Sequence, residues 1–244
     1  MLKIVYRKAP IQRASEPNRL AHIIPFMLIA VGSATIGAVI GPIIGYFAII
    51  SPRLNSSRGM ISPLPLAANF QVLGANNFSP AVYQRLDYTK PENWFPEAEY
   101  PSQSVSKISS YNLSIPKIGI DNAVVEIGGT DLAKSLIHYP GTAFPGELGA
   151  PVIFGHSILR QFYNPKNYRS IFSTIMTLEY GDEILVKFDA VNYRYKVVDK
   201  IEVKPEDIQI LEQKYNGRYL KLVTCVPEGT YLRRGVVIAE LTNG

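Results

Sequence analysis

The 244-residue sequence contains one cysteine, three histidines and one tryptophan. A single cysteine excludes an intrachain disulfide, so a folded domain outside the cytoplasm must rely on its own core. His22, His138 and His156 lie far apart without ligand spacing, so no metal site is expected. There is no Walker loop, no Gly-x-Gly-x-x-Gly and no internal repeat, and no cofactor is expected. A nucleic-acid surface is also missing. The net charge is +5, but Lys3, Arg7, Lys8, Arg13 and Arg19 against Glu16 place +4 of it in the first 22 residues.

Charge disappears altogether between Leu20 and Ser51, where there is no Asp, Glu, Lys or Arg. Residues 23–50 form a 28-residue apolar run, longer than the ~20 residues that cross ~30 Å of hydrocarbon. A cleaved signal peptide has an apolar core of only about 7–15 residues and a small-x-small exit. This run leaves instead through Phe47-Ala48-Ile49-Ile50-Ser51-Pro52. It reads as an uncleaved signal anchor, with His22 at its edge. The basic residues before it keep residues 1–22 in the cytoplasm and send the rest of the chain outside. Gly37, Gly41 and Gly45 have the spacing of a helix-dimer face, although glycine is common in membrane helices.

Residues 51–110 read as an extracytoplasmic linker or N-terminal arm, rich in Ser, Asn and Pro and poor in aliphatic runs. As a flexible coil such a stretch would span roughly 40–45 Å, enough to lift a domain off the bilayer. Trp94 and Phe95 are odd company in a polar spacer. Either the outer wall of the following domain or an apolar groove could receive them.

From residue 111 onward the chain reads as mainly strands. Candidates are Val124–Ile127, Val152–Ser157, Glu183–Phe188, Tyr193–Val198, Tyr219–Cys225 and Gly235–Ala239. Short helices are expected at Asp131–Ile137, Ser170–Leu178 and Glu206–Gln213, where acidic residues or Pro205 suit helix starts. Short strands with small helices in their connections suggest a closed barrel.

The cysteine lies in the segment most informative about chemistry. Tyr219–Cys225, the connection through Pro227 and Gly229, and the strand after Arg234 read as a hairpin. If that hairpin is centred between Gly229 and Thr230, Cys225 faces Arg234 and Arg233 points to the other side. A permanent cation beside the thiol is expected to favour thiolate and to offer donors to an oxyanion. Gly155-His156 ends another apolar strand, completing a nucleophile, acid/base and oxyanion set.

Leu222-x-Thr224-Cys225, an arginine nine residues on, and Gly155-His156 upstream together resemble the sortases, the membrane-anchored cysteine transpeptidases of bacterial surfaces. The likeness runs from about Asn112 to Leu241 and includes Leu113–Ile120, the run Ile137–Ala143 with Pro145–Glu147, and Tyr180-Gly181-Asp182. The Cys-x-Pro-x-Gly spacing is closer to the pilin-type and neighbouring branches than to the housekeeping branch. Lys221, where many members have threonine, is a departure that bears on subclass.

The resemblance implies an eight-stranded barrel, residues 111–244 as the catalytic domain, and Cys225, His156 and Arg234 as catalytic residues. Thr224 and His138 are candidate substrate-binding residues, with His138 read as structural or groove-lining rather than catalytic. The resemblance further implies an Leu-Pro-x-Thr-Gly-like sorting signal as substrate, a thioester acyl-enzyme, and an amine of a cell-wall precursor or pilin as acceptor. Papain-like enzymes place their cysteine before the histidine, caspases need a different local sequence, and the Ser-x-Gly-Cys of L,D-transpeptidases is absent. The alternative is a non-catalytic, membrane-tethered binding module.

Overall fold

The computed structural model describes residues 19–52, 87–96, 98 and 108–242. They fall into two compact units, residues 1–45 and 46–244. Among the described residues the first unit contains one helix, α1 (Arg19–Gly45). With the π-helical turn Tyr46–Ile50 that continues it, this helix supplies an apolar stretch from Ile24 to Ile50, long enough to cross a membrane.

The second unit is mainly β. Its strands are β1 (Ser110–Ile115), β2 (Ile120–Ile127), β3 (Leu136–His138), β4 (Val152–Phe154), β5 (Glu183–Phe188), β6 (Val191–Val203), β7 (Tyr219–Val226) and β8 (Arg233–Leu241). They close into a barrel in the order β1-β2-β3-β4-β7-β8-β6-β5. Most neighbours are antiparallel, but β2 with β3 and β4 with β7 run parallel. The parallel pair matters for function, because it lets both strands finish at the same rim.

Alternation along the strands builds two apolar cores. Inward residues such as Leu113, Val125, Ile153, Ile184, Leu222 and Val237 fill the barrel. Outward residues of β3, β4, β7 and β8, among them Ile137, Phe154, Val223, Cys225 and Val236, form a second core on the outer wall. A wall this apolar needs a cover, and the chain supplies one from upstream. Tyr88, Trp94 and Phe95 lie in this second core with almost no exposure.

The expected helices shrink to turns. Residues 131–137 make turns and then β3, because the Asp131 carboxylate accepts from Ala133 N–H two residues on and closes a local turn. Only the single 3₁₀ turns Ile175–Thr177 and Ile208–Leu211 remain in the other two stretches. The expected opening strand 113–120 breaks at a 3₁₀ turn over Pro116–Ile118, with Gly119 at φ 71°, and resumes as β2. The free-spacer reading of residues 51–110 is also corrected. Ser51 is buried in the barrel unit and residues 88–95 are docked on it, so the segment is not a uniform coil.

Candidate active site

Cys225 and Arg234 are cross-strand partners in β7 and β8, the register the sequence predicts. The guanidinium of Arg234 is completely buried. Its Nε and Nη2 donate to the carbonyl of Trp94 at 3.1 and 2.9 Å. Its Nη1 donates to the carbonyls of Tyr231 and Arg233. The rings of Tyr88 and Trp94 flank the cation at 5.6 and 5.5 Å. Among the described residues no carboxylate pairs with it. Arg233 behaves differently: it pairs with Glu202 at 3.1 Å.

His156 reaches the same wall through the parallel pairing of β4 with β7. Phe154 is level with Val223, so two residues further His156 comes level with Cys225 and on the same face. The chain stays beside β7 past the strand end. Thr224 Oγ1 donates to the Gly155 carbonyl at 3.0 Å, and Ser157 Oγ donates to the Cys225 carbonyl at 2.6 Å. Gly155 is required by space, because a Cβ there would drive into the Phe172 ring and come within 2.7 Å of Leu136. Among the described residues the His156 ring has no hydrogen-bond partner; Trp94 lies 6.0 Å from it, centroid to centroid.

The cover sets the protonation of the pair. Burial pushes the Cys225 thiol above its ordinary range, with Arg234 pulling weakly the other way. Burial, aided by the charge of Arg169, pushes His156 down to about 4. The expectation that Arg234 favours thiolate is therefore corrected for this state: desolvation outweighs the cation. Burial under the cover thus favours the neutral thiol at Cys225 and the neutral imidazole at His156.

Two expected substrate contacts are also corrected. Thr224 is buried and its hydroxyl is spent on Gly155, so it fastens the His156 segment to β7. His138 lies on the inward face of β3, 1% exposed. Its Nδ1 meets the Tyr111 hydroxyl at 2.9 Å and its Nε2 meets Thr142 Oγ1 at 3.0 Å. Thr142 donates its own proton to the Tyr139 carbonyl, so Nε2 carries the imidazole proton and Nδ1 accepts from Tyr111. Burial holds His138 down to about 4. Among the described residues no group of three or more His, Cys, Asp or Glu could hold a metal.

Phe154, Tyr88 and Tyr231 were not singled out in the sequence, and Lys221 was noted there only as a departure that bears on subclass. Phe154 stacks on Trp94 at 5.2 Å, and Tyr231 stacks on Tyr88 at 4.2 Å. Lys221 donates to the carbonyls of Ile210 and Glu212, tying the 3₁₀ turn to the outer face of β7. Burial lowers its ammonium to about 8. Trp94 and Phe95 were conspicuous by composition, but nothing local in the sequence points to a backbone carbonyl as the partner of Arg234.

A reduced cysteine, a histidine two residues past the end of the neighbouring strand β4, and a buried guanidinium form the layout that cysteine-based acyl transfer requires. A sequence profile of the sortase domain matches residues 113–242, more than half of the chain. The chain belongs to the sortase family. Sortase D of Bacillus subtilis is 28% identical over 116 residues, covering 47% of this chain and 53% of that protein. The chain thus spans about half the length of that relative. Sortase A of Bacillus anthracis is 22% identical over 210 residues, covering 81% of this chain and 95% of that protein. Sortase C1 of Streptococcus agalactiae is similar with a TM-score of 0.50 and 28% identity, over 59% of this chain and 74% of that one. Sortase C-1 of Actinomyces oris shares the fold with a TM-score of 0.50 and 22% identity, over 63% of this chain and 94% of that one.

Proposed function

We propose that this chain is a membrane-anchored cysteine transpeptidase with Cys225 as nucleophile, His156 as acid/base and Arg234 as the oxyanion or backbone clamp. The observation that carries the reading is Arg234. A guanidinium sealed from water without a carboxylate partner among the described residues is costly unless the site has another use for its charge. Here it holds a main-chain carbonyl with two donors, directly across from the cysteine. An extended peptide that displaced Trp94 would bring its own carbonyl to those donors.

In the proposed reaction Cys225 passes its proton to His156 and its sulfur attacks the carbonyl carbon of the scissile bond. Arg234 stabilises the oxyanion. The C–N bond breaks, His156 gives the proton to the leaving amine, and a thioester remains. An incoming amine, deprotonated by His156, then attacks the thioester and releases Cys225. The substrate in this reading is an Leu-Pro-x-Thr-Gly-like sorting signal on a surface protein, and the acceptor is an amine of a cell-wall precursor or a pilin subunit. Residues 1–22 stay in the cytoplasm, residues 23–50 anchor the chain in the cell membrane, and residues 111–244 work outside it.

The test is incubation of the full chain, in detergent, with a library of extended sorting peptides and hydroxylamine. The expected product is the hydroxamate of the amino-terminal peptide fragment, read by mass. If no peptide yields one, with or without residues 87–98, the transpeptidase reading fails.

A further inference from the structure

The residues that follow α1 are clasped to the barrel. Tyr46 and Ser51 are 2% and 7% exposed. Tyr46 donates its hydroxyl to Glu202 Oε2 at 2.9 Å, and Ser51 donates to Oε1 at 3.5 Å. Arg233 holds Oε1 from the other side at 3.1 Å, and the Glu202 side chain has no contact with water. Arg233 opens β8, so the clasp lies one residue from the β7–β8 loop.

That loop is apolar and open at its end. Leu232 is 59% exposed and Tyr231 51%. The segment after His156 abuts it: Arg160 pairs with Glu228 at 3.0 Å, and Leu159 closes on Gly229. This second segment exposes Phe162 at 62%. Three large apolar side chains thus stand in water on the two loops that follow His156 and Cys225.

The length of α1 points to the bilayer as what covers these side chains. Ile24–Gly45 alone, at 1.5 Å per residue, covers about 33 Å, already the thickness of the hydrocarbon layer. Tyr46, packed in the barrel core, then falls at the outer end of that span. Glu202 links Tyr46 to Arg233, and Leu232 is the next residue, about 3.8 Å away along the chain. We propose that the Tyr231–Leu232 loop and Phe162 rest in the interfacial layer of the bilayer, so that the candidate active site opens at the membrane surface. The proposal rests on the anchor reading of residues 23–50. The aromatic and aliphatic makeup of the rim suits the headgroup boundary, with tyrosine keeping its hydroxyl wet.

The experiment uses the full chain with Cys225→Ala, reconstituted in nanodiscs of phosphatidylcholine and phosphatidylglycerol. A nitrobenzoxadiazole probe is placed through Leu232→Cys, and in separate samples through Ile36→Cys in α1 or Tyr180→Cys, a site 82% exposed. Phosphatidylcholine brominated near its headgroup is the quencher for the probes at 232 and 180, and phosphatidylcholine brominated near the middle of its acyl chains is the quencher for the probe at 36. The expected result is that probes at 36 and 232 lose most of their emission while the probe at 180 keeps it. A probe at 232 that stays bright while 36 is quenched overturns the proposal. So does a probe at 232 that is shielded only when a sorting peptide is added, which would make the rim a peptide surface. If 36 also stays bright, the anchor reading fails and takes the proposal with it.

Discussion

The Arg234 guanidinium grips the Trp94 carbonyl through two donors, 140 residues apart in sequence, and Cys225 lies under the same cover. In the proposed reaction, the chain's own upstream segment sits where a peptide substrate would lie. Access to Cys225 requires that Tyr88–Phe95 leave.

Deleting residues 87–98 should speed labelling of Cys225 by a bulky maleimide. The pH midpoint of labelling should also fall, because removing the cover removes the desolvation that raises the thiol and leaves the opposing pull of Arg234. Thermal stability should drop as well, since Trp94 and Phe95 cap the outer core. Labelling at an unchanged rate would show that the segment only pads the wall.

The two arginines should separate. Arg234→Ala removes the donors aimed at the carbonyl and should lower transfer by about 10²–10³. Arg233→Ala should leave the rate nearly intact but lower stability by about 1–3 kcal/mol, because it strips a partner from the buried Glu202 carboxylate. Peptide-transfer rates and chemical denaturation of both variants decide this. The reverse ranking would contradict the assignment of Arg234.

His138 should make the barrel acid-sensitive. Its folded value near 4 lies below the ordinary 6.5, so between those values the unfolded chain binds a proton that the folded chain refuses. Stability therefore falls as pH drops through that window, by at most about 1.4 kcal/mol per pH unit for this one group. His156 adds to the slope in the same direction. Denaturation midpoints at several pH values should show a shallower decline for His138→Gln than for the parent. Equal slopes would mean that His138 is not held neutral by burial.

The parts of this site that could be read from sequence are those set by short-range rules. Alternation and turn chemistry between Cys225 and Arg234 predict their pairing, because strand period and hairpin centre together fix the register. The apolar strands β4, β5 and β7 were legible for the same reason. The inward setting of Thr224 and His138 was not legible, because strand sequence does not tell which face is inward until closure is known. The thiol's protonation was misread because its cover comes from residues far upstream whose docking depends on tertiary contacts. Trp94 and Phe95 could be recognised as out of place in a polar segment, but their seat on the outer wall of β3, β4, β7 and β8, in one cluster with Cys225, depends on tertiary contacts.

The most direct test of the central claim compares the parent chain with Cys225→Ala for transfer of a sorting peptide to hydroxylamine, with an intact-mass search for a peptide thioester. The account predicts transfer and a trapped acyl-enzyme for the parent and neither for Cys225→Ala. Folding stability should stay within about 1–2 kcal/mol, since alanine nearly fills a cysteine site. Substantial transfer by a stably folded Cys225→Ala would contradict the account.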